Sequence, residues 1–108
     1  MKRSVFIIFL FSLAFYSHAQ YDPSRINKKA TQYFEQAIQR IEEENYASAV
    51  GLLQKAIDAD ANYVDAYLIL ANVYARLKNH NNSILQFEKA FALDTVYTIT
   101  GKSAYAPQ

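Results

Sequence analysis

The chain has 108 residues, no cysteine and a formal net charge of +1. This length suits one small domain and is too short for two. The lack of cysteine excludes a disulfide framework, thiolate metal sites and a lipid-carrying cysteine. Charge is nearly balanced, and after residue 19 only Lys28 and Lys29 cluster, so the concentrated basic face expected of a nucleic-acid or anionic-membrane partner is missing.

Residues 1–19 have the pattern of a secretory signal peptide. Lys2 and Arg3 form a positive start, residues 5–16 are an apolar run, and small residues precede a cut between Ala19 and Gln20. A membrane span needs about twenty apolar residues, so this shorter run predicts a cleaved signal with no stable membrane insertion afterward. We expect an exported protein, periplasmic or extracellular.

Residues 20–29 form a lead-in to the first helix. Asp22, Pro23 and Ser24 supply turn and cap chemistry, which predicts a helix that begins close to Ser24. Apolar residues then recur at three- and four-residue spacing, typical of an amphipathic helix that ends near Glu44 and Asn45. This first stripe consists of Ala30, Tyr33, Phe34, Ala37, Ile38 and Ile41.

A second helix is predicted directly after the first. Its apolar positions are Tyr46, Ala49, Val50, Leu53, Ala56 and Ile57. The connection is very short, and short connections make successive helices antiparallel neighbours. Within this helix Gly51 is the exception to helix-favouring residues: it either costs roughly 1 kcal/mol relative to alanine or permits a close helix approach.

A second helical hairpin follows in the same manner. The third helix is predicted from Val64, Tyr67, Leu68, Leu70, Ala71, Val73, Tyr74 and Leu77, and the fourth from Ile84, Phe87, Ala90, Phe91 and Leu93. The turn between them, residues 78–82, contains three asparagines. Asparagine tolerates left-handed backbone and so ends a helix at a low energetic cost. The fourth helix is expected to end near Asp94.

The two hairpins repeat one another. Residues 30–63 and 64–97 align at a fixed offset of 34 residues. Identical pairs at this offset include Tyr33 and Tyr67, Ala37 and Ala71, Asn45 and Asn79, Ala56 and Ala90, Asp60 and Asp94, and Tyr63 and Tyr97. A single hairpin of this kind cannot bury its apolar face alone, so the copies must stack against each other. The expected result is a binding surface rather than a catalytic pocket.

These residues resemble the tetratricopeptide repeat, a 34-residue helical hairpin. Tyr33 and Tyr67 stand at its first large aromatic position, and Ala37 and Ala71 at its close-packing position. The resemblance implies an all-α fold of two stacked antiparallel helical hairpins, an α-solenoid. The family's boundary proline is replaced by Ala61 and Thr95, Arg40 stands where an aromatic is usual and Gln36 where a leucine is usual. Without the proline, a helix can be expected to run on past Asp60.

The resemblance also implies a binding groove. In that family the first helix of each hairpin lines a concave surface, and the corresponding positions here are Phe34, Ile38, Ile41, Leu68, Asn72 and Arg76. Such a groove suits a peptide with hydrophobic anchors and a carboxylate. The family's carboxylate clamp is disfavoured because Phe34 and Ile38 replace its polar residues. The resemblance further implies a protein or peptide partner, in a scaffold of the bacterial cell envelope.

Catalytic and metal-binding sets are not found in the sequence. The histidines are His18, within the expected signal, and His80 in a turn, so no histidine-based nucleophile or metal cluster can be assembled. The three consecutive glutamates at residues 42–44 point in different directions around a helix, so they do not form a facing pair of carboxylates. The sequence also has no glycine-rich phosphate-binding loop. We expect a protein that is not an enzyme and needs no cofactor and no metal.

The end of the chain leaves a question open. Residues 98–108 are a short tail or the start of an incomplete third repeat, too short to cap the stack. Ile84, Phe87 and Phe91 should then form an exposed apolar patch, which we call the end-stacking surface. Either a partner covers it, or copies associate through it as a self-associating structural protein, or the chain is the N-terminal fragment of a larger envelope protein.

Overall fold

The computed structural model describes residues 20–100 of the chain. The expected signal peptide, residues 1–19, and the tail beyond Thr100 lie outside the described residues. After a 3-10 turn at Pro23–Arg25, the helices are α1 (Lys28–Glu42), α2 (Tyr46–Ala59), α3 (Val64–Arg76), α4 (His80–Leu93) and α5 (Thr95–Thr100). No strand occurs between residues 20 and 100, and the predicted all-α fold of helical hairpins is confirmed.

The first helix begins later than the sequence indicated. Asp22 does act as a cap, but of the short 3-10 turn, where its side chain accepts from the Ser24 amide at 3.0 Å. Ile26 then takes an extended conformation, and Asn27 caps α1 by accepting from the amides of Lys29 at 2.8 Å and Ala30 at 3.4 Å. Two competing caps lie within six residues, and the second one starts the helix.

The tight turns inside the two hairpins have the same backbone. Glu44 and Lys78, 34 residues apart, adopt left-handed φ values of 59° and 64°. The following Asn45 and Asn79 donate their amides to carbonyls five residues back, at 2.8 and 2.9 Å, closing α1 and α3. The left-handed residue of the second turn is therefore a lysine, and the expectation that an asparagine would fill that role is wrong.

Asparagine is used differently in these turns. The side chains of Asn45 and Asn79 accept from the amides of Ser48 at 3.3 Å and Asn82 at 3.4 Å, and so cap α2 and α4. Each asparagine thus ends one helix with its backbone and begins the next with its side chain. This double use explains why the turn can be so short.

The boundaries after α2 and α4 are also alike. Asp60 and Asp94 leave the helix with extended backbone, at φ −149° and −156°. Their side chains accept from amides farther along, Asn62 at 3.1 Å and Tyr97 at 2.9 Å, which turns the chain into the next helix. The helix does not run on past Asp60, because Asp60 has extended backbone and its side chain caps the turn that follows, so the chain leaves the helix without a proline.

The core lies between the helices and centres on α3. α1 packs on α2, α3 on α4, α2 joins the two hairpins through α3, and α5 packs on α4. Fully buried alanines, among them Ala37, Ala56 and Ala90, allow the helices to approach closely. Ser83 is buried and donates to the Ala71 carbonyl at 2.8 Å, which adds a polar link inside the second hairpin.

A cluster of hydrogen bonds holds the segment before α1 against the second hairpin. The buried Tyr21 and Tyr97 rings meet edge to face with centroids 4.8 Å apart, and both hydroxyls donate to the Asp65 carboxylate. The Tyr21 amide donates to Asp94 at 2.9 Å. We call Tyr21, Asp65 and Tyr97 the tyrosine clasp, since they join the start of the described chain to α3 and α5.

Candidate functional site

A groove of about 610 Å³ lies between the first helices of the two hairpins. α1 contributes Ile38 and Ile41, and α3 contributes residues from two neighbouring rows of its surface. The α3 lining consists of Ile69, Asn72, Val73, Ala75 and Arg76. Antiparallel hairpins stacked in register place α1 and α3 on the same side of the molecule, which is why residues 34 positions apart face one opening.

The groove has an apolar floor and one polar, charged side. Ile38, Ile41 and Ile69, all half-buried, supply aliphatic surface. Asn72 and Arg76 are both exposed and lie one helical turn apart on α3. An amide at this position can both donate and accept a hydrogen bond. The side chains available here can therefore hold apolar groups and fix a polar backbone or an acidic group.

Arg76 is oriented by an aromatic residue at the opening. Its guanidinium carbon lies 5.7 Å from the centroid of the Tyr46 ring, and its Nη1 donates to the Tyr46 hydroxyl at 3.4 Å. Ion pairs between residues 20 and 100 join Arg25 to Asp22 and Arg40 to Glu43, and none involves Arg76. The guanidinium thus retains donors for a carboxylate, held in place by stacking on Tyr46.

Four of the six expected groove residues line this opening, and two do not. Ile38, Ile41, Asn72 and Arg76 lie together around it. Phe34 instead packs on the Tyr63 ring with centroids 5.1 Å apart, and Leu68 is half-buried against the core.

The lining also includes residues that were not expected. Ile69, Val73 and Ala75 belong to the groove. Ala75 could have been found, because it stands 34 residues after Ile41 in the repeat. Ile69 and Val73 could not, because at this offset they align with the polar Glu35 and Gln39 of the first hairpin.

The residues of the end-stacking surface are exposed on α4. Phe87 and Phe91, with Glu88, Ala92 and Thr98, line a shallow depression of about 320 Å³, away from the groove residues. Ile84 lies one turn before Phe87 on the same helix and is also exposed.

Buried tyrosines shape the electrostatics elsewhere. Burial, and then the nearby Asp65 charge, raises the pKa of Tyr21, and burial with the hydrogen bond to Asp65 raises that of Tyr97. Burial also raises the pKa of Tyr63 to about 12. All three hydroxyls stay protonated at neutral pH. Those of Tyr21 and Tyr97 act as hydrogen-bond donors to Asp65 rather than as acids.

The described residues hold no cluster suited to a metal ion. Between residues 20 and 100, no three histidine, aspartate or glutamate side chains converge in a metal-binding arrangement. His80 is exposed at the first position of α4. Within the same range, no helix is long and apolar enough to cross a membrane.

Comparison with known proteins agrees with this architecture. The hairpins, their repeated turns and their groove define a stacked helical-repeat fold of the kind that holds other proteins. Residues 64–97, which cover α3, α4 and the start of α5, match the family model of the tetratricopeptide repeat. No curated protein matches the chain. The repeat indicates a protein–protein interaction module, a class that is generally non-catalytic.

Proposed function

We propose that this protein is a non-catalytic adaptor that holds an extended segment of a partner protein in the groove between α1 and α3. The observation that carries the proposal is the pairing of an apolar floor with a guanidinium that has no carboxylate partner within residues 20–100. The segment that fits contains apolar side chains next to an aspartate, a glutamate or a terminal carboxylate.

Each part of the bound segment has a place in this arrangement. Apolar side chains pack on Ile38 and Ile41, which are half-buried and lose further solvent contact on binding. Asn72 can pair with the backbone of an extended peptide, and Arg76 with its carboxylate. Arg76 is already stacked on Tyr46, so less side-chain freedom is lost when the carboxylate binds.

A phage-displayed library of random peptides tests this proposal. We expect selection on the wild-type chain to enrich peptides with apolar residues beside an acidic one. The same peptides should bind the Arg76→Gln variant at least about tenfold more weakly, since a charge-assisted hydrogen bond contributes roughly 1.5–3 kcal/mol. Circular dichroism should show unchanged helix content in the variant.

Lys89→Gln is the matched control. Lys89 is an exposed cation of α4 that does not line the groove, so its removal changes net charge equally and should leave peptide affinity within about twofold of wild type. Equal losses in both variants would mean that only net charge attracts the peptide. That result, or a selection without enrichment, would contradict binding in the groove.

We further propose that the protein works outside the cytoplasm, in the bacterial cell envelope. Support comes from the sequence of residues 1–19, with its basic start, apolar run and small residues before Gln20. Expression of the full sequence in a bacterium and N-terminal sequencing of the protein from the periplasm or medium should give a chain that begins at Gln20. A cytoplasmic protein that retains its first residues would contradict export without affecting the groove.

A further inference from the structure

The segment before α1 docks on the second hairpin through Tyr21. This residue is 8% exposed. Its amide donates to Asp94 at 2.9 Å, and its hydroxyl donates to Asp65 at 3.1 Å. Its ring packs edge to face on the ring of Tyr97. Both the backbone and the side chain of Tyr21 are therefore held by residues far away in the chain.

The same segment is also fixed where it enters α1. The Asn27 amide donates to the Asp60 carboxylate at 3.0 Å, at the boundary between the two hairpins. Between these two anchors the chain forms the 3-10 turn that Asp22 caps. The segment therefore has no slack length between Tyr21 and α1 that could extend away from the fold while the clasp is closed.

The expected cut lies directly beside this docked residue. Only Gln20 separates the bond between Ala19 and Gln20 from Tyr21. A protease must hold residues on both sides of the bond that it cuts, and it cannot hold backbone that is buried and hydrogen-bonded elsewhere. Gln20 is exposed and Tyr21 is buried. Tyr21 must therefore leave the tyrosine clasp before a protease can reach this bond.

We propose that closure of the tyrosine clasp protects the bond between Ala19 and Gln20, so that residues 1–19 are removed before the segment docks. This order of events rests on the proposed export of the protein, which does not by itself set an order. The cut is a hydrolysis, in which water adds across the amide and leaves a carboxylate on Ala19 and an ammonium on Gln20. A chain whose clasp closes first keeps the apolar run of residues 5–16.

Purified bacterial signal peptidase tests this protection on the full chain. Cell-free synthesis in detergent micelles supplies uncut protein, and mass spectrometry measures the rate at which chains that begin at Gln20 appear. Leu70→Glu is the unfolded reference, because it places a charge at a core position of α3 that is 1% exposed. We expect the wild-type chain to be cut at least about tenfold more slowly than this reference, since only its open fraction is cut.

Two variants open the clasp without changing the sequence around the bond. Asp65→Ala removes the acceptor of both tyrosine hydroxyls, and cutting should become at least about tenfold faster than in the wild type. Tyr97→Leu removes the ring that packs on Tyr21, and cutting should become at least about threefold faster. Tyr97 lies on α5, outside the cores of the two hairpins, so circular dichroism should show that this variant keeps its helices.

Asp58→Ala is the matched control. Asp58 is an exposed aspartate of α2 outside the clasp, so its removal should leave the cutting rate within about twofold of wild type. A wild-type chain that is cut as fast as Leu70→Glu, or clasp variants that are cut no faster than Asp58→Ala, would overturn the protection and leave export untouched. An unfolded Leu70→Glu chain that is not cut at this bond would contradict export, and the protection with it.

Discussion

Removal of the Asp65 carboxylate should destabilise the protein more than removal of an exposed aspartate carboxylate. In the tyrosine clasp, the hydroxyls of Tyr21 and Tyr97 both donate to Asp65. Asp65→Ala leaves these two hydroxyls without their acceptor. An unsatisfied buried polar group costs about 1–3 kcal/mol, and the half-buried Asp65 site admits some water, which favours the lower part of that range.

We therefore expect Asp65→Ala to lower the free energy of unfolding by about 2–4 kcal/mol, a large part of the 5–15 kcal/mol typical of a domain. Urea denaturation followed by circular dichroism measures this loss. Asp58→Ala is the control, because Asp58 is an exposed aspartate of α2, and a change there should stay within about 0.5 kcal/mol.

A double-mutant cycle separates the clasp from other effects of Asp65, such as its favourable position at the N-terminus of α3. In a background with Tyr21→Phe and Tyr97→Phe, the hydroxyl donors are gone, and Asp65→Ala should cost less than about 1 kcal/mol. A loss of equal size in both backgrounds would refute the assignment of the stability to these two hydrogen bonds.

Three further predictions concern stability. Lys78→Gly should raise the free energy of unfolding by about 1 kcal/mol, because glycine adopts left-handed φ without strain; a lower denaturation midpoint would count against it. Gly51→Ala should add up to about 1 kcal/mol, as α2 has open space there; a loss would mean unforeseen crowding. The pKa values of Tyr21 and Tyr97 are raised in the folded protein, so the stability that these protonated hydroxyls contribute is fully present below about pH 10 and is lost as the pH rises beyond it. Tyr97→Phe should reduce this alkaline loss of stability. An unchanged alkaline denaturation profile in the variant would contradict the assignment to these tyrosines.

The helices were predictable because their signals are local and repeated. The apolar stripes and the Asn45 and Asn79 turns recur at a fixed offset, so α2, α3 and α4 begin and end within a few residues of expectation. The start of α1 was not predictable in this way, because Asp22 and Asn27 are equally good N-cap residues by sequence. Only the structure shows that α1 follows Asn27.

The groove was predictable in part for a related reason. Ile38, Ile41, Asn72 and Arg76 follow from the repeat register, whereas Phe34 is taken up by its contact with Tyr63. That contact, like the tyrosine clasp, joins residues far apart in the chain, and no periodic pattern in the sequence predicts it. Long-range polar and aromatic pairs require the packed structure.

The central claim, that the groove between α1 and α3 is where a partner segment binds, is tested most directly by nuclear magnetic resonance. Amide spectra of the isotope-labelled chain would be recorded during titration with the tightest peptide from the phage selection. We predict that the shifted amides cluster around Ile38, Ile41, Asn72 and Arg76, with little change along the exposed face of α4. Shifts centred on Phe87 and Phe91, or none at saturating peptide, would contradict the account.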